Sequence, residues 1–467
     1  MVFLLASFAA FRQLLDMGTS SAFFTFLSQK QRSAHFIRVY WFWVASQLAI
    51  SLVVVWLMLP DALIGQIWVG EDRTLIALAL LASFMQGLVW TSASQMAEAY
   101  RETVNLQRLN TLVVCVHLCV MVALWHLDQL AIPLVFTALI IEWGIAAWLA
   151  SRMYRTQGVP RQNEHGTVKT LSAIVSEYFR YCGPMIPYVW LAFAHDFADR
   201  WMLQAWGGAS EQAYYGVAQQ FSAVALLATS SILGVLWKEV AEAAHRNDLQ
   251  RLSYLYSKVS RILYFVASAT ACGLLPWSNE LLALTVGEDY SGGAVTLMLM
   301  LLYPIHQSLG QIGGTLLYAT ENVRLQVKLN VFVMATSLVF AYVMMAPPDA
   351  FIPGLNLRSG GLAWKMLIVQ AVSVNLLMWF IARSFDWKFH WQFQYVVFGV
   401  CFTLGWVMHQ IAALLLEDIS STSVKIILAT FCYGLTLLFV VVARPSIAGL
   451  LPTELDRILR FKKSIRR

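Results

Sequence analysis

The chain has 467 residues, is 59% hydrophobic and only 12% charged, and carries a formal net charge of +6 with a mean hydropathy of +0.63. A soluble domain carries about 25% charged residues, so this composition excludes an ordinary soluble enzyme or nucleic-acid-binding domain. The six cysteines (115, 119, 182, 272, 401, 432) lie in or at the edges of apolar stretches with no CxxC pair, which makes them small packing residues rather than a metal or redox site.

A helix needs about 20 apolar residues to cross the hydrocarbon core. About thirteen stretches qualify: 2–27, 37–59, 74–96, 109–127, 131–151, 182–206, 213–237, 259–286, 293–318, 327–346, 361–382, 394–416 and 424–443. Barrel strands are about 9–11 residues long and alternate in polarity, so these runs predict an all-α polytopic membrane protein.

The first stretch holds Arg12 and Asp16, four apart on one helical face and able to pair. It runs into a basic loop with no small-residue cleavage site, so no signal peptide is expected. The third carries Gln86, Ser92, Ser94 and Gln95, and the fifth holds Glu142 with no evident partner. The segment 152–181 is basic and polar and contains Gly158, Pro160, Asn163 and Gly166, as a linker would, and it can form an amphipathic helix. The sixth stretch crowds His195, Asp196, Asp199 and Arg200, and the first three share a helical face. In 238–258, Val240, Leu249, Leu252 and Leu255 interleave with Lys238, Arg246 and Arg251, the pattern of an interfacial helix. The ninth stretch has Gln307 and Gln311 on one face, beside Gly310, Gly313 and Gly314, which permit close helix approach. Lys365 lies near the outer end of the eleventh, shallow enough to snorkel. His117, His306 and His409 are single histidines on apolar helices and read as interior residues.

Positive charge sets the orientation. Apart from Arg12, Arg200 and Lys365, every Lys and Arg except Arg73, Arg358 and Lys425 falls in one alternate set of loops or in the C-terminal tail. Cytoplasmic loops retain Lys and Arg, so this set, with the C-terminus, is expected inside. The tail residues Arg457, Arg460, Lys462, Lys463, Arg466 and Arg467 are expected to lie on anionic membrane lipids. The resulting organisation is an N-terminal bundle of about five spans (1–151), a cytoplasmic linker (152–181), a bundle of about six spans (182–382), two further spans (394–443) and a basic tail (444–467).

Each ionisable residue inside a span costs roughly 2.5–3.5 kcal/mol, so such residues face a cavity or one another. They either neutralise each other and lock helix packing or serve a solute. Walker A, GxSxG, HExxH and GxGxxG frames are missing from the sequence, and the outer loops are short, so an enzyme is not expected.

Three stretches carry a resemblance. Leu15-Asp16-Met17-Gly18-Thr19-Ser20-Ser21-Ala22 is the first. Gly183-Pro184-Met185-Ile186-Pro187, followed by Asp199-Arg200 and Tyr215-Gly216-Val217-Ala218, is the second. Gly287-Glu288-Asp289-Tyr290, with Ala319-Thr320-Glu321-Asn322 after the next helix, is the third. In order and spacing these resemble the polysaccharide (O-antigen, lipid-linked oligosaccharide) flippases of the multidrug/oligosaccharidyl-lipid/polysaccharide exporter superfamily. The resemblance implies a fold of about fourteen helices, two pseudo-symmetric bundles plus C-terminal helices, of which this chain lacks the first. It implies a bacterial inner-membrane flippase that moves undecaprenyl-pyrophosphate-linked repeat units to the periplasmic leaflet by alternating access, working beside a polysaccharide polymerase and a chain-length regulator. On that reading Arg12, Arg200, Lys365, Gln307 and Gln311 bind pyrophosphate and sugar. Asp16, Glu142, His195, Asp196 and Asp199 are counter-ions or sites for a coupling H+ or Na+, with no other cofactor. Two alternatives stay open: a drug or cation antiporter of the same superfamily, and an O-antigen polymerase or ligase.

Overall fold

The structure is a computed structural model that describes residues 2–29, 32–68, 71–100, 102–156, 170–246, 248–319, 323–389, 391–415 and 421–450. Its regular elements among these residues are all helices, and nine of them are long and apolar enough to cross a membrane. The protein is thus a multi-pass membrane protein. Its exterior agrees: Leu112, Leu118 and Trp125 on one helix, and Ile427, Phe431 and Phe439 on another, are exposed. Apolar surface on this scale is stable only against lipid. The described residues form two compact units, Met1–Ala205 and Trp206–Arg467. The basic tail and the middle of the linker lie outside the described residues, as do three residues of the Ala319–Asn322 motif.

In the first unit, α1 (Val2–Asp16) and α2 (Thr19–Gln29) replace the single first span expected from the sequence. Met17 and Gly18 break it with positive φ of 48° and 83°. Glycine adopts this conformation without strain, and Met17 is carried with it. The unit continues through α3 (Ala34–Val53), which ends in the wide π turn Val54–Met58, and the short α4 (Asp61–Ile67). One long span follows, α5 (Arg73–Phe84) joined to α6 (Trp90–Ala99) through a second π turn, Met85–Val89. Then come α7 (Thr103–His126), α8 (Ile132–Thr156) and α9 (Leu171–Cys182). The linker is therefore helical at its end. Its α9 buries Ile174 and sends Glu177 to Arg32, whose guanidinium makes two hydrogen bonds at 2.9 and 3.1 Å. Arg32 also lies over Phe26 and Phe36 at 5.0 and 4.7 Å, and Tyr178 stacks on Tyr40.

The 60-residue α10 (Ile186–His245) bends at Gly208, whose φ of 79° and ψ of −172° are open to glycine alone. The boundary between the units falls just before it. The second unit continues with α11 (Leu249–Leu274), α12 (Ser278–Thr285), α13 (Ala294–Ala319), α14 (Val323–Met345), α15 (Arg358–Ser384), α16 (Trp391–Leu415) and α17 (Thr422–Ala443). In 238–258, Val240, Leu252 and Leu255 are buried in the core of this unit, whereas Leu249 at the start of α11 is exposed. Gly310 and Gly313 let α15 come close. A Cβ on either would meet Val374 or Leu377 at 2.9 Å.

Candidate functional site

The polar residues inside the spans fall into separate groups in both units. In the first unit, Arg12 does not pair with Asp16. Both Asp16 oxygens are taken by the next helix: Thr19 Oγ1 and Ser20 N donate to Oδ1 at 2.7 and 3.0 Å, and Ser20 Oγ donates to Oδ2 at 2.7 Å. The helix break created by Gly18 leaves backbone donors at the start of α2, and Asp16 caps them. The expected counter-ion is thus engaged as a cap. Arg12 lies against the long span. Its guanidinium occupies the space a side chain at residue 87 would fill, and Nη1 donates to the Ser83 carbonyl at 3.4 Å. Both groups border the π turn of the long span. The sequence shows Gly87 plainly, but not that a π turn and an arginine meet there.

Glu142, without a visible partner in the sequence, meets His117 of α7. Nδ1 and Oε2 are 2.7 Å apart, and the carboxylate's Oε1 is buried with no partner among the described residues. The Glu142 side chain is 8% exposed. The pair corrects the reading of His117 as a lone interior histidine. In the sixth span, His195 contacts both acids predicted to share its face: Nδ1 to Asp196 at 2.9 Å, Nε2 to Asp199 at 3.9 Å. Asp199 is buried, Asp196 is exposed and Arg200 is half-buried.

In the second unit, Lys365 does not snorkel. It is fully buried, which corrects the expectation of a shallow, wetted ammonium. Gln307 accepts from Gln370 of α15 and from Tyr303. Gln311 sits one turn further along, with a buried, unpartnered Oε1. The second group in this unit escaped the sequence reading. Glu211, which follows the Gly208 bend, accepts from both the backbone N–H and the hydroxyl of Ser359 and lies 3.8 Å from Arg358. Ser359 in turn reaches Thr296 at 2.9 Å. Glu211 falls in what the hydropathy pattern marks as a loop, where a carboxylate attracts no notice. Gln47 and Gln212 were missed too. Both are buried with amide atoms unpartnered among the described residues, and a scan for ions passes over amides.

The motifs behind the resemblance also find a place. Gly287 has a φ of 101°, and the chain after it brings Gly292 and Gly293 against the ring of Tyr214, whose hydroxyl donates to the Asp289 carbonyl at 3.3 Å. The motif at 287–290 is thereby tied to the residue just before the one at 215–218.

The sequence matches no protein-family model and no curated protein. Solved structures do match. The lipid II flippase MurJ in an inward closed conformation has a TM-score of 0.63 at 12% identity, covering 93% of this chain and 92% of that one. A transporter of the MOP superfamily from Pyrococcus furiosus has a TM-score of 0.54 at 12% identity, covering 82% and 85%. An outward-facing MATE family transporter of the same superfamily has a TM-score of 0.53 at 12% identity, over the same shares. The chain therefore shares the fold of these solved transporters, over 82–93% of its length.

Proposed function

We propose that this protein is a flippase for an undecaprenyl-pyrophosphate-linked oligosaccharide in the bacterial inner membrane, serving assembly of a surface polysaccharide. The observation that carries the reading is the presence of cations inside the spans of a transporter fold. Arg12 and Lys365 are held there at a cost of about 2.5–3.5 kcal/mol each, Arg12 against Gly87 and Lys365 fully buried. Packing alone is served more cheaply by an apolar residue. A pyrophosphate cargo gives such groups a use, and a guanidinium matches phosphate oxygens in geometry. Unpartnered amides at Gln47, Gln212 and Gln311 supply donors and acceptors for sugar hydroxyls. Arg200 serves the same anionic cargo. Glu142 with His117, and His195 with Asp196 and Asp199, are the sites for a coupling H+ or Na+. A polymerase and a chain-length regulator receive the product.

Reconstituted protein should move a fluorescent undecaprenyl-pyrophosphate oligosaccharide between leaflets of proteoliposomes, and Arg200→Ala and Lys365→Ala should slow it while the protein stays folded. Unchanged rates in both variants overturn their assignment as cargo groups. A second reading is favoured by the acidic group on the sixth span, which suits a cationic drug, as does the likeness to a MATE transporter. Drug efflux by the reconstituted protein, with no glycolipid movement, would establish it.

A further inference from the structure

We infer that the second unit carries a binding site for an anionic glycerophospholipid of the inner leaflet, separate from the transported cargo. Two adjoining cavities form it. The larger, about 510 Å³, lies between α13, α15 and α16 and is walled mainly by Leu302, Ile368, Ala371, Tyr395 and Phe398. Several of its lining residues, Val372 and Tyr395 among them, are exposed, so it opens sideways toward lipid. The smaller is a niche of about 30 Å³ that shares Tyr264 and Gln394 with the larger one, and it is lined by Ser257, Ser260, Arg261 and Lys388.

Charge and hydrogen bonding name the occupant. Arg261 lies over the ring of Phe393 at 5.4 Å, and its stem is fixed by Gly449, where a Cβ would strike it. Lys388 is exposed on the connection from α15 to α16. No carboxylate lines either cavity, and neither cation has an ion-pair partner among the described residues. Arg261, midway along α11, opens the apolar stretch 259–286, and Lys388 precedes the stretch 394–416; the Lys/Arg pattern assigns both of these ends to the cytoplasm, where the leaflet is anionic. Ser260 Oγ in the lining of the niche and His306 Nδ1 in the lining of the groove are buried without hydrogen-bond partners among the described residues, and a phosphate or ester oxygen would give them one.

The groove itself offers little to a sugar. Gln394 donates to Asn375 Oδ1 at 2.9 Å, and Asn375 donates to the Ala371 carbonyl at 2.7 Å, so these amides satisfy each other and the backbone. What remains is apolar wall, suited to an acyl chain. A headgroup phosphate at Arg261 and Lys388 with a chain in the groove accounts for both cavities. The site stands apart from the transport reading.

The test is native mass spectrometry of the full-length protein with phosphatidylglycerol or phosphatidylcholine added. Wild-type protein should retain one phosphatidylglycerol in preference to phosphatidylcholine. Removing a cation near an anionic surface weakens attraction about fivefold, so the Arg261→Gln/Lys388→Gln double variant should bind about thirtyfold less well. Ala371→Leu, which narrows the groove and leaves the cations in place, should also weaken retention. Equal retention of the two lipids, or retention unchanged in the double variant, overturns the site. Displacement of the bound lipid by undecaprenyl phosphate, with no preference for phosphatidylglycerol, overturns the choice of occupant and assigns the groove to the carrier lipid.

Discussion

The hydrogen on Gly87 is what gives Arg12 its place. A methyl there collides with the guanidinium, and both groups border a π turn that cannot shift without unwinding the span. Gly87→Ala should therefore push aside the guanidinium, the far end of a flexible side chain, at little cost in stability, and reduce glycan export. Arg12→Gln should fold and still lose export. Melting of the purified variants, set beside surface-glycan staining, separates the two effects; full export by folded Arg12→Gln protein would leave Arg12 as a packing group. Asp16 behaves differently. Asparagine caps a helix about as well as aspartate, whereas alanine loses about 1 kcal/mol. Asp16→Asn should then match wild type in stability and export, and Asp16→Ala should be less stable yet still export. Loss of export in Asp16→Asn would restore the charge to a functional role. From the sequence, Arg12 and Asp16 read as an i,i+4 pair. The left-handed turn at Met17–Gly18 decided otherwise, because it created donors nearer to the carboxylate than Arg12 is.

At the scale of elements, helix identity was legible and helix ends were not. The apolar stretches mark where spans lie because length and hydropathy are enough for that. They miss the break at Gly18, the two π turns and the reach of α10 and α11 beyond the apolar stretches, where Val240, Leu252 and Leu255 are buried in the second unit. Partners across helices were hidden for the same reason. Glu142 and His117 are both plain in the sequence, but only the packing of α7 on α8 puts them 2.7 Å apart. The linker gives a sharper case. Its composition reads as a polar linker able to form an amphipathic helix, but does not show that α9 packs within the first unit through Arg32 and Glu177, with Arg32 against Phe26 and Phe36. Glu177→Ala strands a buried guanidinium and should cost about 1.5–3 kcal/mol. It should also make the linker more open to protease, which limited proteolysis of wild type and variant reads directly. Equal cleavage of the two would show that α9 is held by Ile174 and Tyr178 alone.

For the whole molecule, the sequence supplied class and fold through hydropathy and loosely spaced motifs, and the likeness to a lipid II flippase over 93% of the chain agrees with it. Cargo is less legible. It depends on which side chains face a common path, and residues such as Gln47, Gln212, Glu211 and Gln370 enter that question only once folded. Buried cations remain the clearest pointer to an anionic, lipid-linked cargo, and leaflet position is what such a protein must change. The most direct measurement is therefore the accessibility of the lipid-linked oligosaccharide to a periplasm-restricted lectin in cells with and without this protein. Repeat units trapped on the cytoplasmic face in its absence, and restored to the periplasm by its expression, are the predicted result. Units that reach the periplasm normally in its absence would contradict the flippase account.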